Sequence, residues 1–374
     1  MILNHYIVAR NADSLFPYQG WPTIARDGNG VLYAAVSGHR LGHVCPFGKN
    51  YLYISKDEGK TWSVPLVVND TAHDDRDGGL CAWGDGNLLI TWFHNSKELY
   101  RSRALLAEDQ PVNNGAAALP ISYAAYDMWD QLPEERMQEN YAFTRRSHDG
   151  GMTWDEPIPV TFSAPHGPVR TVSGRMLYAG LTSHRLITEE EPKRRIALME
   201  SFDDGKTWER LCLVPELPHA DASDPCEPHC VELPNGDILI VIRSWRTESK
   251  KLNLYLTRSV DGGKSFEVPQ PIEGLYGAPG HLLLHSSGAL IVTYGVRFSD
   301  DKPIGSYARI SYDNGHTWGE EFMVGKPAVT WDHGYPSTVE LSDGSLYTLY
   351  YQRAYDTDEF NSLLGCHWEL PEKP

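Results

Sequence analysis

The chain has 374 residues, 41% of them hydrophobic, and a formal net charge of −17 at pH 7. That length suits one large all-β domain or two ordinary ones, and the acidic balance argues against nucleic acid or an anionic membrane as partner. No apolar run approaches a membrane span, no basic stretch followed by an apolar one opens the chain, and the six cysteines are scattered rather than framed for disulfides. Free thiols and a cytoplasmic location are therefore expected. Eleven Trp and twenty Tyr lean towards β structure and carbohydrate contact, because flat aromatic faces stack on sugar rings.

In chain order, Leu3 to Ala9 precedes the first glycine turn by a full strand and is spare. Gly20-Trp21-Pro22-Thr23-Ile24 opens an apolar strand that turns at Gly30 and returns to His39-Arg40, before a loop containing His43. Ser55-Lys56-Asp57-Glu58-Gly59-Lys60-Thr61-Trp62 follows, and its pattern, Ser-x-Asp-x-Gly-x-Thr/Ser-aromatic, recurs at 147–154, 201–208, 259–266 and 311–318. The Asp can accept hydrogen bonds from backbone N–H groups further on, the Gly supplies positive φ, and the aromatic residue anchors the next strand. Turn formation explains these Asp residues without a metal.

A second repeat interleaves with the first. Apolar runs meet a glycine turn at Gly30, Gly86, Gly174, Gly236, Gly288 and Gly344, in steps of 56, 88, 62, 52 and 56 residues. A period near 55 fits a four-stranded blade, so the expected fold is all-β, a six-bladed β-propeller spanning 1–374 as one domain. The long step marks an insertion at about 95–138 in blade two, with a helix-prone stretch from Tyr126 to Glu139. The sixth blade lacks the Asp turn, and Leu3 to Ala9 is expected to supply its outer strand and close the ring.

Antiparallel alternation puts the glycine and Asp turns on one face. The opposite face then collects Trp21, Arg76, Asp77, His166, Glu227, His229, His281, Asp332, His333 and Tyr335 from the starts of first strands. It also collects His39, Arg40, His94, Arg243 and Arg297 from the ends of second strands, with the insertion overhanging.

The repeated Asp string resembles the Asp-box (BNR) repeat of the sialidase (neuraminidase) superfamily, a resemblance that itself implies six blades. Cys226-Glu227-Pro228-His229-Cys230, followed by Ile238 to Arg243, resembles the segment carrying that family's catalytic Glu and one pocket Arg. Gly334-Tyr335-Pro336-Ser337-Thr338 resembles the segment carrying its nucleophilic Tyr. The resemblance implies Tyr335 as nucleophile and Glu227 as its base. A phenol with a pKa near 10 needs one, and a neutral nucleophile suits a sugar with a carboxylate on its anomeric carbon. Arg243 and Arg297 would clamp that carboxylate.

The pattern departs at two points. Trp21 stands where the family has an Arg motif, and the loop Leu41 to Asn50 has no carboxylate where the family has its general acid. His43, Asp75 and Asp77 are the candidates for that acid. Arg40, Arg76, His166, His229, His281, His333 and Trp21 are candidate substrate contacts. The histidines could also transfer protons or hold a metal, but Cys226-x-x-His229-Cys230 has no second ligand pair at suitable spacing, so no metal or cofactor is expected. The expected activity is an exo-acting glycoside hydrolase on an acidic or otherwise polar sugar. A lyase acting on uronic acids and a non-catalytic glycan-binding propeller are the alternatives.

Overall fold

The computed structural model describes residues 3–133, 136–191, 193–218, 225–246 and 251–372. It is a six-bladed β-propeller of antiparallel blades, each built on four strands, A to D from the axis outward. Blade one comprises Tyr18–Arg26, Leu32–Arg40, Lys49–Ser55 and Leu66–Asn69; blade two comprises Arg76–Trp83, Asn87–Phe93, Ala142–Ser147 and Ile158–Val160. In blade three strand A is split into Phe162–Ser163 and Val169–Arg170, both paired with Met176–Thr182. Blades four and five run from Cys226–Glu232 to Gln270–Pro271 and from Gly280–Leu284 to Phe322–Met323. Blade six comprises Gly334–Glu340, Leu346–Gln352 and Ser362–Trp368, and Leu3–Ala9 pairs with the last of these as its outer strand.

The five Asp turns share one hydrogen-bond set. In the first, Thr61 donates its backbone N–H to Asp57 at 2.9 Å and its hydroxyl at 2.6 Å, while Gly59 N–H donates to Ser55 Oγ at 2.9 Å. Asp149, Asp203, Asp261 and Asp313 repeat it. The glycine of each turn also packs against the preceding blade. A Cβ on Gly59, Gly151, Gly205 or Gly263 would come within 2.3, 2.3, 2.1 and 2.7 Å of Tyr347, Leu52, Leu89 and Leu198 respectively. The turn therefore does two jobs: it reverses the chain and fits one blade to the next. Apolar side chains between blades form the core, such as Leu239, Val241, Leu254, Leu282, Leu290 and Val292 between blades four and five.

The insertion is helical, with α1 at Lys97–Leu105, α2 at Pro111–Asn114 and α3 at Pro120–Asp130. The sequence reading put the last helix at Tyr126 to Glu139; it starts earlier because Pro120 sits in its first turn, where no N–H is needed. It ends earlier because Pro133 cannot continue it. Tyr100, Ala104, Ala117, Tyr126 and Trp129 pack together with Val44 of the blade-one loop. Trp129 Nε1 donates to the Ala72 carbonyl at 2.5 Å, tying the insertion down onto blade two.

Deleting residues 1–9 should strip blade six of its outer strand and expose an unpaired edge. Aggregation or loss of a single cooperative melting transition is the expected result, checked by light scattering and calorimetry. Asp203→Ala should lower the Tm above pH 4. Burial opposes the Asp203 charge, but the Thr207 and Ser201 hydrogen bonds outweigh it and hold its pKa below the usual value. Its contribution is thus complete above the unfolded pKa and lost as pH falls through the folded one. The Tm gap between wild type and variant should narrow in acid.

Candidate functional site

Four A strands begin with the same distortion. Register breaks between Gly20 and Thr23, between Arg76 and Gly79, between Cys226 and His229, and between Gly334 and Ser337. In each break the first unpaired residue has positive φ: Trp21 at 53°, Asp77 at 51°, Glu227 at 49° and Tyr335 at 49°. Left-handed backbone at a non-glycine residue costs about 1–3 kcal/mol, and bulges of this kind re-aim a side chain. Here each re-aimed side chain enters one cavity at the axis. The next residue is Pro22, Gly78, Pro228 or Pro336, so three of the four bulges leave no N–H to satisfy.

The cavity has a volume of about 440 Å³, and the insertion contributes Leu99, Tyr100, Arg103 and Asn113 to its wall. Tyr335 donates its hydroxyl to Glu227 Oε1 at 2.5 Å, across from blade six to blade four. Arg243 Nη1 donates to Glu227 Oε2 at 2.6 Å and lies 3.5 Å from the Tyr335 oxygen. Burial works against the Glu227 charge, but Arg243 and Tyr335 outweigh it and hold the pKa below the usual carboxylate value. Burial, reinforced by Glu227, pushes the Tyr335 phenol well above its usual value. The proton therefore rests on the phenol, with an ionised acceptor already in contact. Arg297 lies over the Tyr335 ring with 5.3 Å between guanidinium carbon and centroid, and donates to the His333 carbonyl and the Tyr351 hydroxyl.

Across the cavity, burial pushes the Asp77 carboxyl up to about 6, with Glu227 adding to the effect and Arg76 opposing it. Its buried Oδ1 has no hydrogen-bond partner among the described residues. Arg76 covers the Trp21 ring at 4.3 Å. His43 reaches the cavity as well, its Nδ1 held 2.8 Å from Asp332 Oδ1, which also accepts from Tyr351 at 2.9 Å. Burial lowers the His43 pKa despite Asp332, so the ring is neutral at pH 7.

Several expected residues lie elsewhere. Arg40 is fully buried and spends its guanidinium on Asp74 and the carbonyls of His43 and Cys45, so it braces the site without lining it. His166, His229 and His281 form a cluster below, with the His229 and His281 rings stacked at 4.3 Å, and they line a second cavity that opens among the glycine turns. The reason is depth. His229 follows Glu227 by two residues, which along a strand is about 6.6 Å further down the axis. Burial drives the His229 pKa down to about 3, so it is neutral. His333 is fully buried beneath Arg297. Among the described residues no group of three or more His, Cys, Asp or Glu is placed to hold a metal ion. Sequence reasoning missed the role of Asp332 as partner of His43, and Arg103 and Trp331 as cavity wall; Trp331-Asp332-His333 just before Tyr335 was the available signal.

A model described as a BNR repeat-like domain matches residues 134–348, more than half of the chain, and a BNR/Asp-box repeat model matches residues 53–64. The chain belongs to the BNR repeat-like domain family. No curated protein matches it. Among solved structures, this BNR propeller resembles a Dyadobacter fermentans DSM 18053 protein of unknown function, at 21% identity and a TM-score of 0.75, over 99% of both chains. It also resembles the intramolecular trans-sialidase of Ruminococcus gnavus in complex with oseltamivir carboxylate, at 13% identity and a TM-score of 0.64, over 98% of this chain and 97% of that one. The α-L-arabinanase of Penicillium chrysogenum complexed with arabinobiose follows at 17% identity and a TM-score of 0.62, over 99% of both chains. At these identities the likeness is one of fold.

The raised Asp77 pKa has a stability consequence. A carboxyl whose folded pKa exceeds its unfolded value of about 3.9 stabilises the fold only while protonated, and that contribution is lost as pH rises through about 6. Asp77→Asn should therefore raise the Tm at pH 7, with the gain shrinking towards pH 4. A Tm difference that is constant from pH 4 to 8 would contradict the assignment.

Proposed function

We propose that the axial cavity is the active site of an exo-acting glycoside hydrolase for an acidic sugar, with sialidase-like chemistry. The observation that carries this reading is the 2.5 Å hydrogen bond from Tyr335 to Glu227, with Arg243 bound to the same carboxylate. Glu227 takes the phenolic proton as the Tyr335 oxygen attacks the anomeric carbon. The bond from that carbon to the leaving oxygen breaks, and Asp77, whose raised pKa of about 6 keeps a protonated fraction available near neutral pH, gives its proton to the leaving oxygen. In the second half, the Asp77 carboxylate takes a proton from water as the water oxygen attacks the anomeric carbon. The Tyr335 oxygen departs and recovers its proton from Glu227. Arg243 and Arg297 sit where they neutralise a carboxylate on the reacting sugar. The sialidase and arabinanase folds among the similar structures support a carbohydrate substrate.

Blade one supplies Trp21 instead of an Arg, and Arg76 from blade two covers that ring. The cation near this corner therefore comes from a different blade, which favours a sugar other than sialic acid. Little release of sialic acid from an aryl sialoside is expected.

Tyr335→Phe removes the attacking oxygen and Glu227→Gln removes the basicity, while both keep their shape. Each should cost at least ~10³-fold in kcat, with the double variant hardly worse than either, because groups acting as a unit are not additive. Trapping a sugar on Tyr335 with a slow fluorinated substrate, read by mass spectrometry, tests the covalent step. An unsaturated product absorbing in the ultraviolet would show elimination instead. Normal turnover by both single variants would remove the hydrolase reading.

A further inference from the structure

Five arginines line the cavity, Arg76, Arg103, Arg194, Arg243 and Arg297, against two carboxylates, Asp77 and Glu227. This cationic surplus lies in a chain with a net charge of −17. Four of the five are engaged with protein groups. Arg76 lies 3.5 Å from Asp74, Arg194 donates to the Thr182 carbonyl at 2.7 Å, Arg243 binds Glu227, and Arg297 binds His333 and Tyr351. The Arg103 side chain has no hydrogen bond or ion pair among the described residues.

Its position follows from α1. Tyr100 and Arg103 are three apart and share one helix face. Tyr100 donates its hydroxyl to Asp74 Oδ2 at 2.6 Å, so that face lies over the segment that ends at Asp77. In the hydrolase reading, on which this inference rests, Asp77 protonates the leaving oxygen. The departing sugar therefore sits on the blade-two side, beneath α1, while Arg243 and Arg297 hold the reacting sugar on the far side.

We infer that Arg103 is a specificity-determining residue for a carboxylate on the departing sugar, and that the substrate carries an acidic sugar on each side of the cleaved bond. A guanidinium matches a carboxylate in two parallel hydrogen bonds, and among the described residues Arg103 is the lining arginine whose whole guanidinium is without a protein partner. Because it is only partly buried, its contribution weakens with added salt.

The test is titration calorimetry on the Tyr335→Phe protein, which holds ligand without turning it over. Two probes are compared: a disaccharide with a uronate on both sugars, and its counterpart with a neutral hexose at the reducing end. The diuronate should bind about tenfold more tightly at low salt, as expected for a hydrogen bond to a charged group. That advantage should vanish in Tyr335→Phe/Arg103→Gln, return in part with Arg103→Lys, and shrink at high salt. Glu227→Gln in place of Tyr335→Phe should give the same ranking. Equal affinities, an advantage that survives Arg103→Gln, or no binding of either disaccharide overturns the inference. A wild-type protein that binds the diuronate in this Arg103-dependent way but cleaves no glycoside would leave the inference standing and remove the hydrolase.

Discussion

The left-handed bulge at the start of four innermost strands is the constraint on which the site depends. A regular strand would send Trp21, Asp77, Glu227 and Tyr335 into the alternation of the sheet, with every second side chain facing a neighbouring blade. Slipping the register at that point turns these side chains towards the axis instead. The strained backbone persists because beyond the break each strand is held by a regular ladder to its neighbour and by apolar packing between blades. The rigid ring thus supports four unfavourable conformations at the one place where they converge.

Two buried carboxylates organise the surroundings. Asp74 accepts from Arg40 and Tyr100 and lies near Arg76, so it connects the blade-one loop, the first strand of blade two and the insertion. Asp332 accepts from Tyr18 and Tyr351 and holds His43, connecting blades one and six. Burial opposes the charge on both, and the attached cations and donors outweigh it, lowering both pKa values, Asp332 to about 2. Among the described residues Asp77 has no such set of donors, and its carboxyl moves the other way, up to about 6. Neighbouring carboxylates in one chain thus divide into fixed charges and a titrating group. The division follows from hydrogen-bond supply rather than from depth.

Much of this was legible in the residues. Each Asp turn is a local motif whose hydrogen bonds run between residues two to four apart, so its string of letters carries its structure. The spacing of the glycine turns counted the blades, and the spare segment Leu3–Ala9 pointed to the closing strand. Glu227 and Tyr335, 335 − 227 = 108 residues apart, could be paired only because both open first strands of a ring. The histidines show where that logic stops. Face can be read from alternation, but depth along the axis depends on where the register slips, which placed His166, His229 and His281 a layer below the cavity.

By itself the sequence determined the repeat, the blade count, the face on which the polar residues gather and the location of the insertion, because those follow from local turns and strand periodicity. Only the tertiary structure decided which of those residues share a cavity. It buried Arg40 against Asp74, set Asp332 behind His43, and brought Arg103 from α1 into the wall of the cavity that Asp77 also lines. It also raised the Asp77 pKa while lowering that of Glu227. These outcomes depend on contacts between blades and on the solvent each group loses, and neither quantity is carried by any short stretch of chain.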